Sequence, residues 1–523
     1  MKNQLPHQAT VQADAAEDLP VKLDFTQDNG SSAEYLSSQS CTPRSFAALQ
    51  LRARSAVRAL LGGNGRNLLL LCGSSSFDQL QTACDLLQEV GGSEATVAFA
   101  PTRFELFGNE DTPGVLTSPG CVVMPCAHLV YHPKWLGMVG ACLSQNRELK
   151  LILCGDAADC ADLRMLFPEL DNALHADVIT EFPADEQGEL PAALLSYYAV
   201  KFGFKHFDAR AVRLLCTLCT RLSGDRRYYS LPELRLRALA QAASAYSTGP
   251  VVEARHLLKA MAAEDFRVNF LQCAELRDHR DHQILIETRG AVVGQINGLS
   301  VVETAGTSYE YGEPVRITAT LRAGGEGDVI DIERKAELAG QIHAKAMMII
   351  NGFLTKEFGS AQPLPVSASL VFEQSYSEID GDSASLTGLC AVLSCLAALP
   401  LRQDLAVTGA VDQFGDVQPV GGVNEKIEGF FRICRLHGLT GTQGVIIPLS
   451  CVHQLVLRES VMRALREGRF HIYAVSHVRQ AMQLLCSTSW GTPEEEGTVS
   501  GLICAHLEEI VSRGGNKPWW HLW

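Results

Sequence analysis

No stretch of the chain approaches the roughly 18 uninterrupted apolar residues that a membrane-crossing helix requires, so no bilayer span is expected. Cations are in deficit: Lys and Arg number 44 against 59 Asp and Glu, a formal net charge of -15. That balance argues against sequence-independent nucleic-acid binding, which needs clustered Lys and Arg, and against docking on an anionic membrane surface. Met1 to Pro20 is polar and acidic without an apolar h-region, so no secretory leader is expected. The 17 cysteines lack a pattern, and the only C-x-x-C, Cys216/Cys219, falls in an apolar helical stretch without a second pair or nearby histidines. Zinc is therefore disfavoured, and buried free thiols in a reducing, cytoplasmic compartment are expected.

What is present is ample for a soluble globular chain of several domains: 523 residues, 46% hydrophobic and 20% charged. Residues 1–45 lack periodicity and read as a flexible arm. Over 46–190, apolar runs at 67–72, 121–124 and 149–154 alternate with helical stretches, predicting an α/β domain with a parallel sheet. Residues 191–265 are helical in pattern. Residues 266–488 mix strand signals (284–288, 315–320, 366–372, 405–409, 444–448) with helix signals (336–358, the stretch ending at Pro400, and the stretch after Gly422), an α+β order. Residues 489–523 read as a tail. It ends in Lys517-Pro518-Trp519-Trp520-His521-Leu522-Trp523, whose tryptophans suit docking on the chain's own surface, on a partner or at a membrane interface.

Two short segments carry the chemistry. Ser383, preceded by Gly381-Asp382, stands at or just before a helix N-terminus, where unpaired N–H groups can stabilise a developing oxyanion. A plain N-cap role for Asp382 or Ser383 explains the same pattern. Lys426 follows the Gly421-Gly422 turn, with Asn424 as an N-cap, in the first turn of a helix spaced by Ile427, Phe430, Phe431 and Cys434. The macrodipole there disfavours a cation, and partial burial would depress the amine's pKa, as a general base requires. An exposed surface lysine is the bland alternative.

These motifs, taken together, resemble the proteolytic domain of the Lon protease family over about 283–485. The resemblance rests on Asp380-Gly381-Asp382-Ser383-Ala384-Ser385, Ala406-Val407-Thr408-Gly409, Gly421-Gly422-Val423-Asn424-Glu425-Lys426 and Gly444-Val445-Ile446-Ile447-Pro448, in that order. It implies Ser383 as nucleophile, Lys426 as its general base, Thr408 orienting the amine, and Asp380 as an acidic neighbour able to pair with Lys426 in a resting form. Asp382 stands where the commonest bacterial Lon enzymes have proline, as in membrane-associated archaeal relatives. Phe372-Glu373-Gln374-Ser375-Tyr376, Glu425 to Phe431, His343 and Lys345 look most like a Lon-related bacterial subgroup described as ATP-dependent proteases. A structural role is expected for His343.

The resemblance implies an AAA+ ATPase with a helical lid ahead of the protease, and the layout of 46–265 agrees. Its nucleotide chemistry is missing. After the strand at 67–72 the chain reads Gly73-Ser74-Ser75-Ser76-Phe77-Asp78, with no Gly-Lys pair to cradle phosphates. The run at 121–124 ends in Pro125-Cys126 where magnesium would need a carboxylate, and Asp156 reads equally as a turn residue. The expectation is a degenerate AAA+-like α/β region with a helical lid, followed by an α+β Lon-type proteolytic domain. No cofactor or metal is expected, although ATP is what the family resemblance would supply. The expected activity is a Lon-type serine endopeptidase with a Ser383–Lys426 dyad. It would act on unfolded or flexible proteins as a homo-oligomer, a hexameric ring by family resemblance, without nucleic acid or membrane. The alternatives are an ATP-dependent Lon protease and a non-catalytic Lon-fold assembly or substrate-binding protein. The latter typically loses the serine or the lysine, and this chain keeps both.

Overall fold

The computed structural model describes residues 19–25, 34–62, 65–92, 94–307, 309–335, 340–359, 364–374 and 381–514. They form two compact units. One comprises Ala33–Ser223 and Arg227–Ala263. The other comprises Gly224–Arg226 and the described residues of Met1–Ser32 and Glu264–Trp523. Among the described residues no helix is long and apolar enough to cross a membrane, and no group of three or more His, Cys, Asp or Glu could hold a metal ion.

In the N-terminal unit, strands β1 (Leu68–Gly73), β2 (Ala95–Val97), β3 (Gly120–Pro125), β4 (Leu149–Gly155) and β5 (Leu174–Val178) form a parallel sheet in the order β2-β3-β4-β1-β5. The continuous apolar runs are explained by cover on both faces. Leu69 and Leu71 enter one core with the helices at Glu189–Phe202, Ala209–Ser223 and Glu233–Tyr246, whereas Leu68 and Leu70 enter another with helices α2 (Cys126–Tyr131) and α3 (Ala157–Leu166). The helical stretch expected as a separate lid thus shares a core with the sheet, and Cys216 and Cys219 are buried in that core.

The turn after β1 is closed by its own side chains. Asp78 accepts from the Gln81 N–H (3.0 Å) and caps helix α1 (Gln79–Glu89). Gln79 donates to the carbonyls of Gly73 (3.3 Å) and Ser74 (3.2 Å). The Phe77 ring is buried against Gly73 and Phe46, its centroid 5.2 Å from that of Phe46. Asp156 caps α3 by accepting the Asp159 N–H at 2.9 Å.

The C-terminal unit is built on β6 (Gln295–Glu303), β7 (Glu310–Asp331), β8 (Val366–Phe372), β9 (Leu405–Val407), β10 (Gly444–Pro448) and β11 (His471–Val475). With the short strand Val21–Lys22 they form one sheet, ordered Val21–Lys22, β11, β10, β9, β6, β7, β8. The four strands from β11 to β6 are parallel; the short strand, β7 and β8 pair antiparallel. Helices α4 (Gln341–Phe358), α5 (Ser385–Ala397) and α7 (Val499–Gly514) share a core with Leu405 and Val407. Helix α6 (Val423–His437) shares the other core with Ala406, Val445 and Ile447. The period-2 alternation of β9 and β10 thus sends the helices that follow Ser383 and carry Lys426 to opposite faces of one sheet.

Three sequence expectations are corrected here. Within the supposed arm 1–45, Val21 pairs with Ala474, and Leu23 and Phe25 are buried, because an apolar alternation there finds an open sheet edge. Within the supposed tail 489–523, Val499, Ile503 and Leu507 bury a helical stripe against α5; the tryptophan-rich end lies outside the described residues. The stretch 284–288 is not a strand. The Leu285 N–H is taken by the Gln374 side chain (2.8 Å) and the Glu287 carbonyl by Asn297 (2.9 Å).

Helix α6 lies unusually close to β7. A Cβ on Gly312 would meet the Glu425 carbonyl and come within 2.7 Å of the Lys426 nitrogen, and one on Gly429 would meet the Gly312 carbonyl. The two glycines let backbone rest on backbone. Gly312→Ala is expected to lower stability by about 1–3 kcal/mol through overpacking, read as a lower unfolding midpoint in a thermal melt. An unchanged midpoint would show that the crossing has slack.

Candidate active site

Both motifs converge at the carboxyl ends of parallel strands, where β9 gives way to Thr408-Gly409 and β10 to the turn containing Cys451. Loops leaving strands at such an end gather residues from distant sequence, which is why open α/β sheets place ligands there.

Ser383 is half-buried, two residues ahead of α5, whose N-cap is Ala384. Neither Asp382 nor Ser383 takes the side-chain capping role considered for them; the Asp382 carbonyl instead accepts the Ser385 N–H (2.9 Å). The segment is sewn to the end of β9 at several points. The Ser383 carbonyl accepts the Gly409 N–H (2.9 Å) and the Thr408 hydroxyl (3.3 Å). The Gly409 carbonyl accepts the Leu386 N–H (3.1 Å), the Ser385 hydroxyl oxygen accepts the Val411 N–H (3.0 Å), and the Thr387 hydroxyl donates to the Val407 carbonyl (2.9 Å). Ser385 and Thr387 are both buried, so these bonds offset desolvation and fix the serine's backbone.

Lys426 sits in the first turn of α6, its N–H donating to the Gly422 carbonyl at 3.0 Å. Gly422 is the N-cap with φ +65°, a conformation that favours glycine. Asn424, expected as the cap, instead clamps the neighbouring loop: its amide donates to the Gln454 carbonyl (2.9 Å) and its oxygen accepts the Val456 N–H (2.7 Å). Glu428 adds a bond from the Arg458 N–H (2.8 Å) and an ion pair with its guanidinium (3.2 Å).

Lys426 is only 4% exposed. Desolvation pushes its pKa down to about 8, opposed by the nearby Cys451 thiol and Asp382 carboxylate, whose negative charge favours the ammonium. Asp382 immediately precedes Ser383, so the two sequence motifs come within electrostatic reach of one another. Thr408 is fully buried, with its N–H on the Ile446 carbonyl (3.1 Å). Its hydroxyl hydrogen goes to the backbone of Ser383, which leaves its lone pairs as what it can offer an ammonium. Asp380 lies outside the described residues. His343 is buried with its ring edge-on to Phe372, centroids 5.3 Å apart, in keeping with a packing role.

Two contributors carried no sequence motif. Cys451 is fully buried, accepts the Val420 N–H on sulfur (3.4 Å), and so braces the turn that launches α6. Gly312 lies ahead of the strand signal at 315–320 and takes its meaning only from the close approach of α6 to β7.

Residues 373–486 match the family model of the Lon protease (S16) C-terminal proteolytic domain. A protein of Escherichia coli (strain K12) named "Putative Lon protease homolog" is 40% identical over 386 residues, covering 72% of this chain and 65% of that protein. A Haemophilus influenzae protein of the same name is 42% identical over 383 residues, covering 72% and 63%. An "Archaeal Lon protease" of Archaeoglobus fulgidus is 28% identical over 282 residues, covering 53% and 42%. The matched region spans less than two thirds of the length of each of these relatives.

Because the Asp382 carboxylate holds the Lys426 amine above where burial alone would leave it, Asp382→Asn is expected to move the titration of Lys426 to lower pH. Amine titration by NMR on lysine-labelled protein checks this; a midpoint that does not move would separate the two motifs electrostatically.

Proposed function

Since the chain is Lon-related, we propose that it is a serine endopeptidase of the Lon type that cleaves unfolded or flexible polypeptide through Ser383 and Lys426. The observation that carries this reading is the buried Lys426 amine, desolvated to a pKa of about 8 beside the segment that presents Ser383. A lysine of ordinary pKa is protonated at neutral pH and cannot take a proton; this one is neutral in a useful fraction of molecules.

In the proposed reaction neutral Lys426 accepts the Ser383 hydroxyl proton as the oxygen attacks the peptide carbonyl. The lysine then returns that proton to the leaving amine, and water resolves the acyl-enzyme by the same route. The first N–H groups of α5 were the expected oxyanion donors, but those of Ser385 and Leu386 are already bonded to Asp382 and Gly409. The N–H groups of Ser383 and Ala384 are therefore the proposed donors. Thr408 holds the serine's backbone and offers lone pairs to the amine; Asp382, and Asp380 by family resemblance, stabilise its charged, resting form.

The N-terminal unit is proposed to be an AAA+-like scaffold without productive ATP hydrolysis. Its all-parallel β2-β3-β4-β1-β5 order supports the kinship. The residues after β1 do not fit a triphosphate. Phe77 fills the space beside Gly73, Gln79 covers the carbonyls of the turn, and no lysine follows. No step is routed through a nucleotide. A cytoplasmic homo-oligomer, a hexameric ring on family grounds, would limit access to chains already loosely folded.

Cleavage of casein with and without ATP tests this reading. Ser383→Ala and Lys426→Ala should each lower kcat/KM by roughly 10^2–10^4-fold or more, and ATP should not stimulate the wild type. Activity surviving both substitutions would sink the dyad. The wild-type kcat/KM should rise about tenfold per pH unit below about 8 and level above it, since the neutral amine is the active form; a profile flat from pH 6 to 9 would exclude Lys426 as the base.

A further inference from the structure

At the carboxyl end of the N-terminal sheet, Cys72 on β1, Cys126 opening α2 and Cys160 in the first turn of α3 bring their sulfurs together. The sulfurs of Cys126 and Cys160 are 4.0 Å apart. A Cβ on Gly155, at the end of β4, would touch Cys126, so the glycine there lets α2 and its thiol settle against the sheet. This cluster plays no part in the proteolytic chemistry. Beside it opens a cavity of about 350 Å³ whose lining includes Cys72, Cys160, Arg164, His175 and Asp177. Cys126 does not line that cavity and is fully buried.

We propose that Cys160 is a hydroperoxide-reactive thiol and Cys126 its resolving partner, the two closing to a disulfide. The cavity gives a small peroxide access to Cys160, which lines it. The Cys160 thiolate attacks one peroxide oxygen; the O–O bond breaks and the other oxygen leaves as water or an alcohol. The product is Cys160 sulfenic acid. The Cys126 thiol, losing its proton, then attacks the Cys160 sulfur and expels the hydroxyl as water. Two thiols are oxidised to one disulfide and the peroxide is reduced by two electrons.

The choice of Cys126 over Cys72 follows from geometry. Displacement at sulfur runs in line, so the attacking thiol must lie opposite the leaving hydroxyl. Oxidant arriving through the cavity leaves its oxygen on the cavity side, which Cys72 shares and Cys126 does not. Thiol hydrogen bonds from Cys126 and Cys72 favour the thiolate at Cys160, against burial and the carboxylates of Asp159 and Asp156, while the same contact and then burial hold Cys126 protonated.

The test treats the reduced full-length chain with a few equivalents of hydrogen peroxide, blocks the remaining thiols and maps peptides by mass spectrometry without reduction. A Cys126–Cys160 linked peptide as the main product, with loss of two of the 17 free thiols, is expected. Cys72→Ser should still form it. Cys160→Ser should abolish it. Cys126→Ser should halt at a sulfenic acid on Cys160 captured by dimedone. Should a buried variant fail to fold, the wild type and Cys72→Ser still decide the matter. Oxidation falling chiefly on another thiol such as the exposed Cys273, or Cys160 oxidised without a link to Cys126, would overturn the proposal.

Discussion

The seam between residues 383–387 and 407–411 is what the C-terminal unit depends on. Helices α5 and α6 lie on opposite faces of one sheet, and only past the end of β9 can their N-termini come near each other. There the backbone of Ser383 is held by Thr408 and Gly409, and the side chains of Ser385 and Thr387 repeat the attachment along the strand. Each bond is worth only about 1 kcal/mol net. Their collective effect is positional, since a half-buried hydroxyl can be aimed only if its own peptide cannot rotate.

The opposite wall is held against a cost. Burying an amine so that its pKa falls from 10.5 to about 8 disfavours the folded state at neutral pH by on the order of 3 kcal/mol. The unfolded chain binds the extra proton between those values, so stability climbs with pH from about 8 to 10.5. Packing and clamps around α6 offset the penalty: the Gly312–Gly429 crossing, the Asn424 grip on Gln454 and Val456, and the Glu428–Arg458 pair. Each has one partner on α6 within three residues of Lys426, so the costly group is restrained by its immediate neighbours.

Much of this was legible in the sequence, for stated reasons. The parallel strands were visible because burial on both faces leaves unbroken apolar runs at Leu68–Leu71 and Val445–Ile447. Lys426 was conspicuous because a cation in a first helical turn opposes the macrodipole. What escaped depends on tertiary context. Val21–Phe25 is too short to announce a strand without the edge it completes, and the α7 stripe of Val499, Ile503 and Leu507 is sparse among polar residues. Asn424 looked like a cap because caps and loop clamps use the same amide, and only the position of residues 454–456 distinguishes them.

The short strand Val21–Lys22 has a consequence beyond packing. It occupies the flank of β11 that would otherwise present bare N–H and C=O groups, the kind of ladder that captures extended polypeptide. By pairing Val21 and Lys22 with Ala474 and Tyr473, the chain closes that stretch of the flank to strand addition from elsewhere.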